Sequence, residues 1–170
     1  MIAPHKPTQT LTLKRQHGFS LLEVLIALVV LSIGLLGLAG LQTFSVKFVH
    51  QSYQRTQATL LIYEMMDRMR ANGAGVAGGS YALASTNVPP VATDCVATPC
   101  TTYAAMAAYD MNQWIMNITA PTRVGLTQGR GVIARVLPLA AAGAPQLYNI
   151  SVSWQEHDIT FTQTITAQMP

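Results

Sequence analysis

Between Val24 and Val46 the chain runs through 23 consecutive residues without one Asp, Glu, Lys or Arg. A helix of that length rises about 35 Å, slightly more than the hydrocarbon core of a bilayer. The segment from Val24 to Leu41 is apolar on every side, so it has no polar face to turn to water if it were laid on a small soluble core. The run therefore predicts a membrane-spanning helix, or one buried in surroundings equally apolar. Charge is arranged around it unevenly. Three of the ten Lys and Arg residues (Lys6, Lys14 and Arg15) precede Phe19, leaving seven against the seven Asp and Glu of the remainder. The positive-inside rule then places residues 1–18 in the cytoplasm and the chain beyond about residue 46 outside. The low charge content and the neutral remainder argue against a disordered or nucleic-acid-binding chain.

An ordinary secretory signal fits this helix poorly. Where a small-x-small cleavage site should lie the chain reads Leu38-Ala39-Gly40-Leu41-Gln42, and Leu41 also stands where a lipoprotein signal needs Cys. A plain anchor explains everything except Glu23, a carboxylate at the head of the apolar helix that is costly there unless something pairs with it.

The stretch Lys14-Arg15-Gln16-His17-Gly18-Phe19-Ser20-Leu21-Leu22-Glu23 supplies a reason. It resembles the type III signal of type IV prepilins: a basic leader ending in Gly, then Phe, then Glu at the fifth position after the Gly, continued by a long apolar helix. The resemblance implies that a membrane aspartyl prepilin peptidase cuts between Gly18 and Phe19 and methylates the new amine of Phe19. Glycine at the cut lets an extended backbone enter a protease cleft. Cleavage removes the three cations, keeps the helix and exposes an α-amine one helical turn from Glu23. In a bundle of such helices Glu23 of one subunit would meet the Phe19 amine of a neighbour, setting axial register more than adding stability.

Further stretches are similar to the minor pilins called type IV pilus modification protein PilV. They are Leu28 to Gln42, then Asp67-Arg68-Met69-Arg70-Ala71-Asn72, Ala108-Tyr109-Asp110 with Trp114, and Ser151-Val152-Ser153-Trp154-Gln155-Glu156. The fold this implies is α+β: a type IV pilin fold with a long N-terminal helix, half spanning the membrane and half amphipathic, packed on a small antiparallel sheet. The implied division is a cleaved leader over residues 1–18, a membrane and filament-core helix over 19–46, and a periplasmic globular domain over 47–170. Implied partners are prepilin peptidase, other minor and major pilins and the inner membrane, with no cofactor and no nucleic acid. A pseudopilin of a type II secretion system shares the signal, helix and sheet. An uncleaved membrane-tethered binding domain is the alternative from another class.

The residues beyond the span give their own reading. A single helix is predicted from Phe19 to about Asn72, with Ala58, Ile62, Met65 and Met69 on one apolar face and Glu64–Arg68 as an i,i+4 pair. Gly34, Gly37 and Gly40 admit either close helix packing in the membrane or a stretch that melts on assembly. Met65, Met66, Met69 and Met106 are expected in the core. The glycine-rich stretch Asn72–Ser80 reads as a loop, and residues 81–101 show no period. Outside the cytoplasm, Cys95 and Cys100 are expected to form a local disulfide. A metal site would need further ligands, and His50 and His157 are remote in sequence. Thr101 or Thr102 caps a helix predicted over 103–117 with Ala107, Met111, Trp114 and Ile118 inward, and Asp110 reads as a solvated or capping acid, less readily as a buried anchor.

After Pro121 the period falls to two, giving three strands around Val132–Leu137, Tyr148–Trp154 and Ile159–Thr166. A Pro/Gly/Ala loop over 138–146 joins the first two, and a polar turn at Glu156-His157-Asp158 the last two. That triplet is the only acid–His–acid cluster in the exterior part. Its place in a turn, with no phosphate loop or nucleophile elbow elsewhere, argues for a structural subunit and not an enzyme.

Overall fold

The computed structural model describes residues 18–120, 126–136 and 145–169. Its elements in chain order are α1 (Leu21–Ala71), α2 (Gly73–Ala77), β1 (Leu83–Thr86), α3 (Tyr103–Thr119), β2 (Arg130–Arg135), β3 (Gln146–Glu156) and β4 (Ile159–Met169). Contacts divide the chain into two units between Val46 and Lys47.

The first unit is the leading half of α1. Ser20 starts the helix: its hydroxyl accepts the Leu22 N–H at 3.3 Å, and its carbonyl accepts those of Glu23 and Val24 at 3.0 and 3.2 Å. These bonds occupy donors that a helix N-terminus would otherwise leave open. Two hydroxyl side chains along the span turn back on their own backbone. Ser32 donates to the Leu28 carbonyl at 2.6 Å and Thr43 to the Ala39 carbonyl at 3.1 Å, so neither hydroxyl offers an unmet donor to lipid. The helix is long and apolar enough to cross a membrane. A Cβ added at Gly34, Gly37 or Gly40 would meet nothing within 4 Å, so packing inside the subunit does not account for these glycines.

The second unit is an α+β domain. Its antiparallel sheet has the order β1-β2-β3-β4, with β3 and β4 forming a hairpin of two 11-residue strands in register from Gln146↔Met169 to Glu156↔Ile159. Alternation along β3 sends Tyr148, Ile150, Val152 and Trp154 inward. They close on Ala58, Ile62, Met65 and Met69 of α1 and on Met111, Trp114, Ile115 and Ile118 of α3, all in one core. The Trp114 indole N–H would be an orphan there; it donates to the Leu61 carbonyl of α1 at 2.8 Å. The outer face is polar, with Ser151 bonded to Thr164 across the strands and Thr166 to Asn149.

The long helix, α3 with Thr102 as its cap, and the β2–β4 strands follow the sequence reading. Three expectations need correction. The glycine-rich stretch after Asn72 is not a loop but holds one turn of helix, α2, because the Asn72 side chain accepts the Gly75 N–H at 3.2 Å and caps it. Gly79, at φ +72°, then reverses the chain. The sheet has a fourth strand, β1, inside the stretch that shows no period; its pairing with β2 shifts register between Leu83 and Thr86. Met106 is exposed, whereas Met65, Met66 and Met69 are core residues. The proposed loop over 138–146 falls largely outside the described residues, as does Leu137.

Candidate functional site

At the N-terminal end, Gly18, Phe19 and Ser20 precede the helix, and Phe19 is 83% exposed. Glu23 lies in the first turn of α1, where the helix dipole favours a negative charge. Phe19, Glu23, Ala27 and Leu31 fall at intervals of four and line one shallow face with Val24 and Leu28. Among the described residues the Glu23 carboxylate makes no ion pair and no side-chain hydrogen bond. The site thus presents a carboxylate and an exposed aromatic at the head of an apolar helix, and among the described residues no group neutralises the charge. Lys6, Lys14 and Arg15 lie outside the described residues.

In the second unit the structure assembles a polar cluster that the sequence reading assigned differently. Asp110 is buried, not solvated: it accepts the Tyr81 hydroxyl at 2.5 Å and the Arg68 guanidinium at 3.2 Å. Arg68 also pairs with Glu64 at 2.8 Å, and Asn117 of α3 donates to Glu64 at 3.1 Å. Asn72 donates to the Tyr81 hydroxyl at 3.1 Å and to the Tyr103 carbonyl at 2.9 Å, so one network joins α1, the segment after α2 and α3. Burial pushes the Tyr81 phenol well above its ordinary range, and the hydrogen bond to Asp110 adds to the rise against a smaller opposing effect of Asn72. Burial of Arg68 works toward a lower pKa, but the bonds and charges of Glu64 and Asp110 outweigh it and the guanidinium stays charged.

Cys95 and Cys100 form the expected disulfide, their Cα atoms 5.0 Å apart. Asp94 organises the ring by accepting the N–H groups of Val96 and Ala97 at 2.9 and 3.4 Å, a role its sequence position alone did not reveal. Two residues after Cys100, Thr102 accepts the Ala105 N–H at 3.1 Å and starts α3.

The triplet Glu156-His157-Asp158 forms the β3–β4 turn. His157 and Asp158 both have positive φ, 47° and 60°, as a two-residue hairpin turn of matching twist requires. Glu156 is engaged by the Trp154 indole N–H at 3.1 Å. His50, far away in sequence, lines the same cavity as His157, a proximity the sequence reading missed. Among the described residues no three His, Cys, Asp or Glu side chains are arranged to hold a metal ion.

With this geometry in view, two family models match the chain. The prokaryotic N-terminal methylation motif covers residues 13–39, which includes Gly18, Phe19 and Glu23. The model described as type IV pilin Tt1218 covers residues 40–112, from within the apolar run of α1 through the first ten residues of α3. No curated protein and no solved structure gives a significant match. The chain therefore carries a prepilin-type methylation motif followed by a type IV pilin domain, and its α+β architecture of a long N-terminal helix with a small antiparallel sheet is that of such a domain.

Proposed function

We propose that the protein is a minor pilin of the type IV pilus modification protein PilV kind, a non-catalytic subunit that takes part in pilus assembly or initiation. Prepilin peptidase cuts between Gly18 and Phe19 and methylates the Phe19 amine. Before assembly the chain sits in the inner membrane with residues 1–18 in the cytoplasm and residues 47–170 in the periplasm. It then passes into a filament beside other minor and major pilins.

The observation that carries this reading is Glu23, without an ion-pair partner among the described residues, at the head of an uninterrupted apolar helix, four residues after Phe19 and inside the methylation motif. Cleavage creates an amine of opposite charge one turn away from that carboxylate, and a neighbouring subunit brings the two together in surroundings where neither is tolerated alone. Arg68 and Asn72, which lie in the stretch similar to PilV proteins, fasten Asp110 and Tyr81, so that resemblance falls on residues that hold the domain together.

The test is the mass and N-terminal sequence of the protein isolated from native membranes. An N-methylated Phe19 as first residue is expected; a chain that keeps its basic leader overturns the processing and leaves a tethered periplasmic domain.

A further inference from the structure

The sheet has two edge strands, β1 and β4, and they differ in kind. β1 is four residues long and shifts register against β2, two devices that keep an edge from recruiting further strands. β4 has neither: it pairs with β3 over 11 residues without a shift, and Ile159–Met169 holds no Asp, Glu, Lys, Arg or Pro. The ladder fixes where its backbone groups point. On β3 the Leu147 carbonyl accepts the Val136 N–H at 2.9 Å, and Gln155 donates to the Thr127 carbonyl at 2.9 Å. Odd-numbered residues of β3 thus face the β2 side, and even-numbered ones bond to β4. Their partners on β4 are the odd-numbered residues from Ile159 to Met169, so Thr160, Thr162, Thr164, Thr166 and Gln168 turn N–H and C=O away from the sheet. Among the described residues none of these groups has a backbone partner.

The side chains beside this edge define what it can take. Phe161 and Ile165 pack on the core but are only partly buried, so a further strand would cover them with apolar residues of its own. The other face of β4 is a row of exposed threonines, which calls for polar residues at alternate positions. A charge preference comes from α1. The exposed Arg55 guanidinium lies over the Phe161 ring, 5.8 Å from its centre, and makes no ion pair among the described residues. In an antiparallel addition the residue opposite Phe161 falls in a non-hydrogen-bonded pair, where side chains stand closest, and on the Arg55 side of the sheet. A carboxylate fits there. Neither edge strand of this chain supplies one, because Leu83–Thr86 and Ile159–Met169 contain no acid. A second copy pairing edge to edge would leave Arg55 unmatched. We infer that β4 is a strand-addition site for a different protein, whose donated segment is extended, alternates apolar and polar side chains, runs antiparallel to β4 and carries Asp or Glu opposite Phe161. The site lies wholly in the second unit and does not depend on how the leader is processed.

Amide hydrogen exchange of the full chain in detergent micelles, read residue by residue by NMR, tests the site with a synthetic probe. The probe is a capped peptide as long as β4 that alternates Thr and Val and has one Asp near its C-terminal end. In the chain alone the odd-numbered amides of β4 should be protected and those of Thr160, Thr162, Thr164, Thr166 and Gln168 open. The peptide should slow exchange at those five by about tenfold once its concentration is about nine times Kd. The same peptide methylated on the nitrogens that face β4 keeps the side chains without the donors and should protect nothing. Lys in place of Asp should weaken binding by about threefold, and Arg55→Gln should make the two peptides equal. Thr162→Pro removes an N–H that β3 does not use, so the odd-numbered amides should stay protected while the peptide no longer binds; if that variant loses its β3 pairing, the methylated peptide decides alone. Edge amides protected before any peptide is added, protection spread evenly over odd and even residues, no protection at any concentration, or equal protection by the methylated peptide each overturns strand addition. Equal affinity for the Asp and Lys peptides overturns the acidic partner. Edge amides that become protected as the chain itself is concentrated overturn the different partner in favour of a second copy.

Discussion

The Tyr81 hydroxyl donates to Asp110 Oδ2 across 2.5 Å, joining the segment after α2 to the middle of α3. The other oxygen of the same carboxylate receives Arg68 from α1. Three segments far apart in sequence therefore meet at one buried acid, and the arrangement of the domain around the long helix depends on it.

Removing that acid should be costly. Asp110→Ala strands a half-buried guanidinium and a buried phenol, and the globular domain should lose about 3 kcal/mol. Asp110→Asn keeps one acceptor and should lose less. Urea unfolding of the full chain in detergent, followed by the fluorescence of Trp114 and Trp154, measures both; an Asp110→Ala loss within 0.5 kcal/mol, the scale of ordinary surface substitutions, would contradict the network.

The same bond has a pH signature. Tyr81 holds its proton more tightly folded than unfolded, where its ordinary value is 10.0. A group whose folded pKa is raised contributes its full stabilisation below the unfolded pKa and loses it as pH climbs toward the folded one. The stability gap between the wild type and Tyr81→Phe should therefore be constant from neutral pH to about 9 and shrink above about 10. A gap that widens with alkali would have the wrong sign.

Glycines should separate into two groups under substitution by Ala. A Cβ at Gly75 would lie 2.5 Å from Asn72 Nδ2, and one at Gly131 would lie 2.5 Å from Trp114 Cζ3. Each should destabilise by about 1–3 kcal/mol through overpacking. Ala at Gly34, Gly37 or Gly40 meets nothing within the subunit and should stabilise the isolated helix by about 1 kcal/mol each. If those variants nonetheless fail to enter filaments, the glycines serve contacts or a conformational change made only between subunits.

The disulfide closes a short ring, and the chain-entropy relation assigns it about 2 kcal/mol. Cys95→Ser should lower domain stability by that order and speed proteolysis between residues 87 and 101. In protein taken from cells, a thiol-reactive polymer should label neither cysteine until a reductant is added; labelling without reduction would contradict the oxidising location.

Much of this was legible in the sequence, for physical reasons that also explain the gaps. The charge-free run, the face of Ala58, Ile62, Met65 and Met69, and the alternation from Tyr148 to Trp154 each repeat one local rule over many residues, and the fold obeys it. Gly18, Phe19 and Glu23 stand out because their pattern is local too. Asp110 was misread because it neighbours the inner face marked by Ala107, Met111 and Trp114, while the groups that neutralise it lie 29 and 42 residues away. β1 escaped notice because four residues, Leu83-Ala84-Ser85-Thr86, with a bulged pairing carry too little alternation to signal a strand. The cavity that unites His50 with His157 required the β3–β4 turn to be placed beside α1, which no local pattern encodes.

The central claim is that Glu23 awaits a neighbour's amine, and its most direct measurement is the amount of subunit in sheared filaments for wild type and Glu23→Ala, with leader removal scored by mass in the same cells. The account predicts cleavage close to the wild-type level and a filament content reduced at least tenfold, the effect of about 1.4 kcal/mol or more in assembly. Cleaved Glu23→Ala subunit present in filaments at the wild-type level would contradict it.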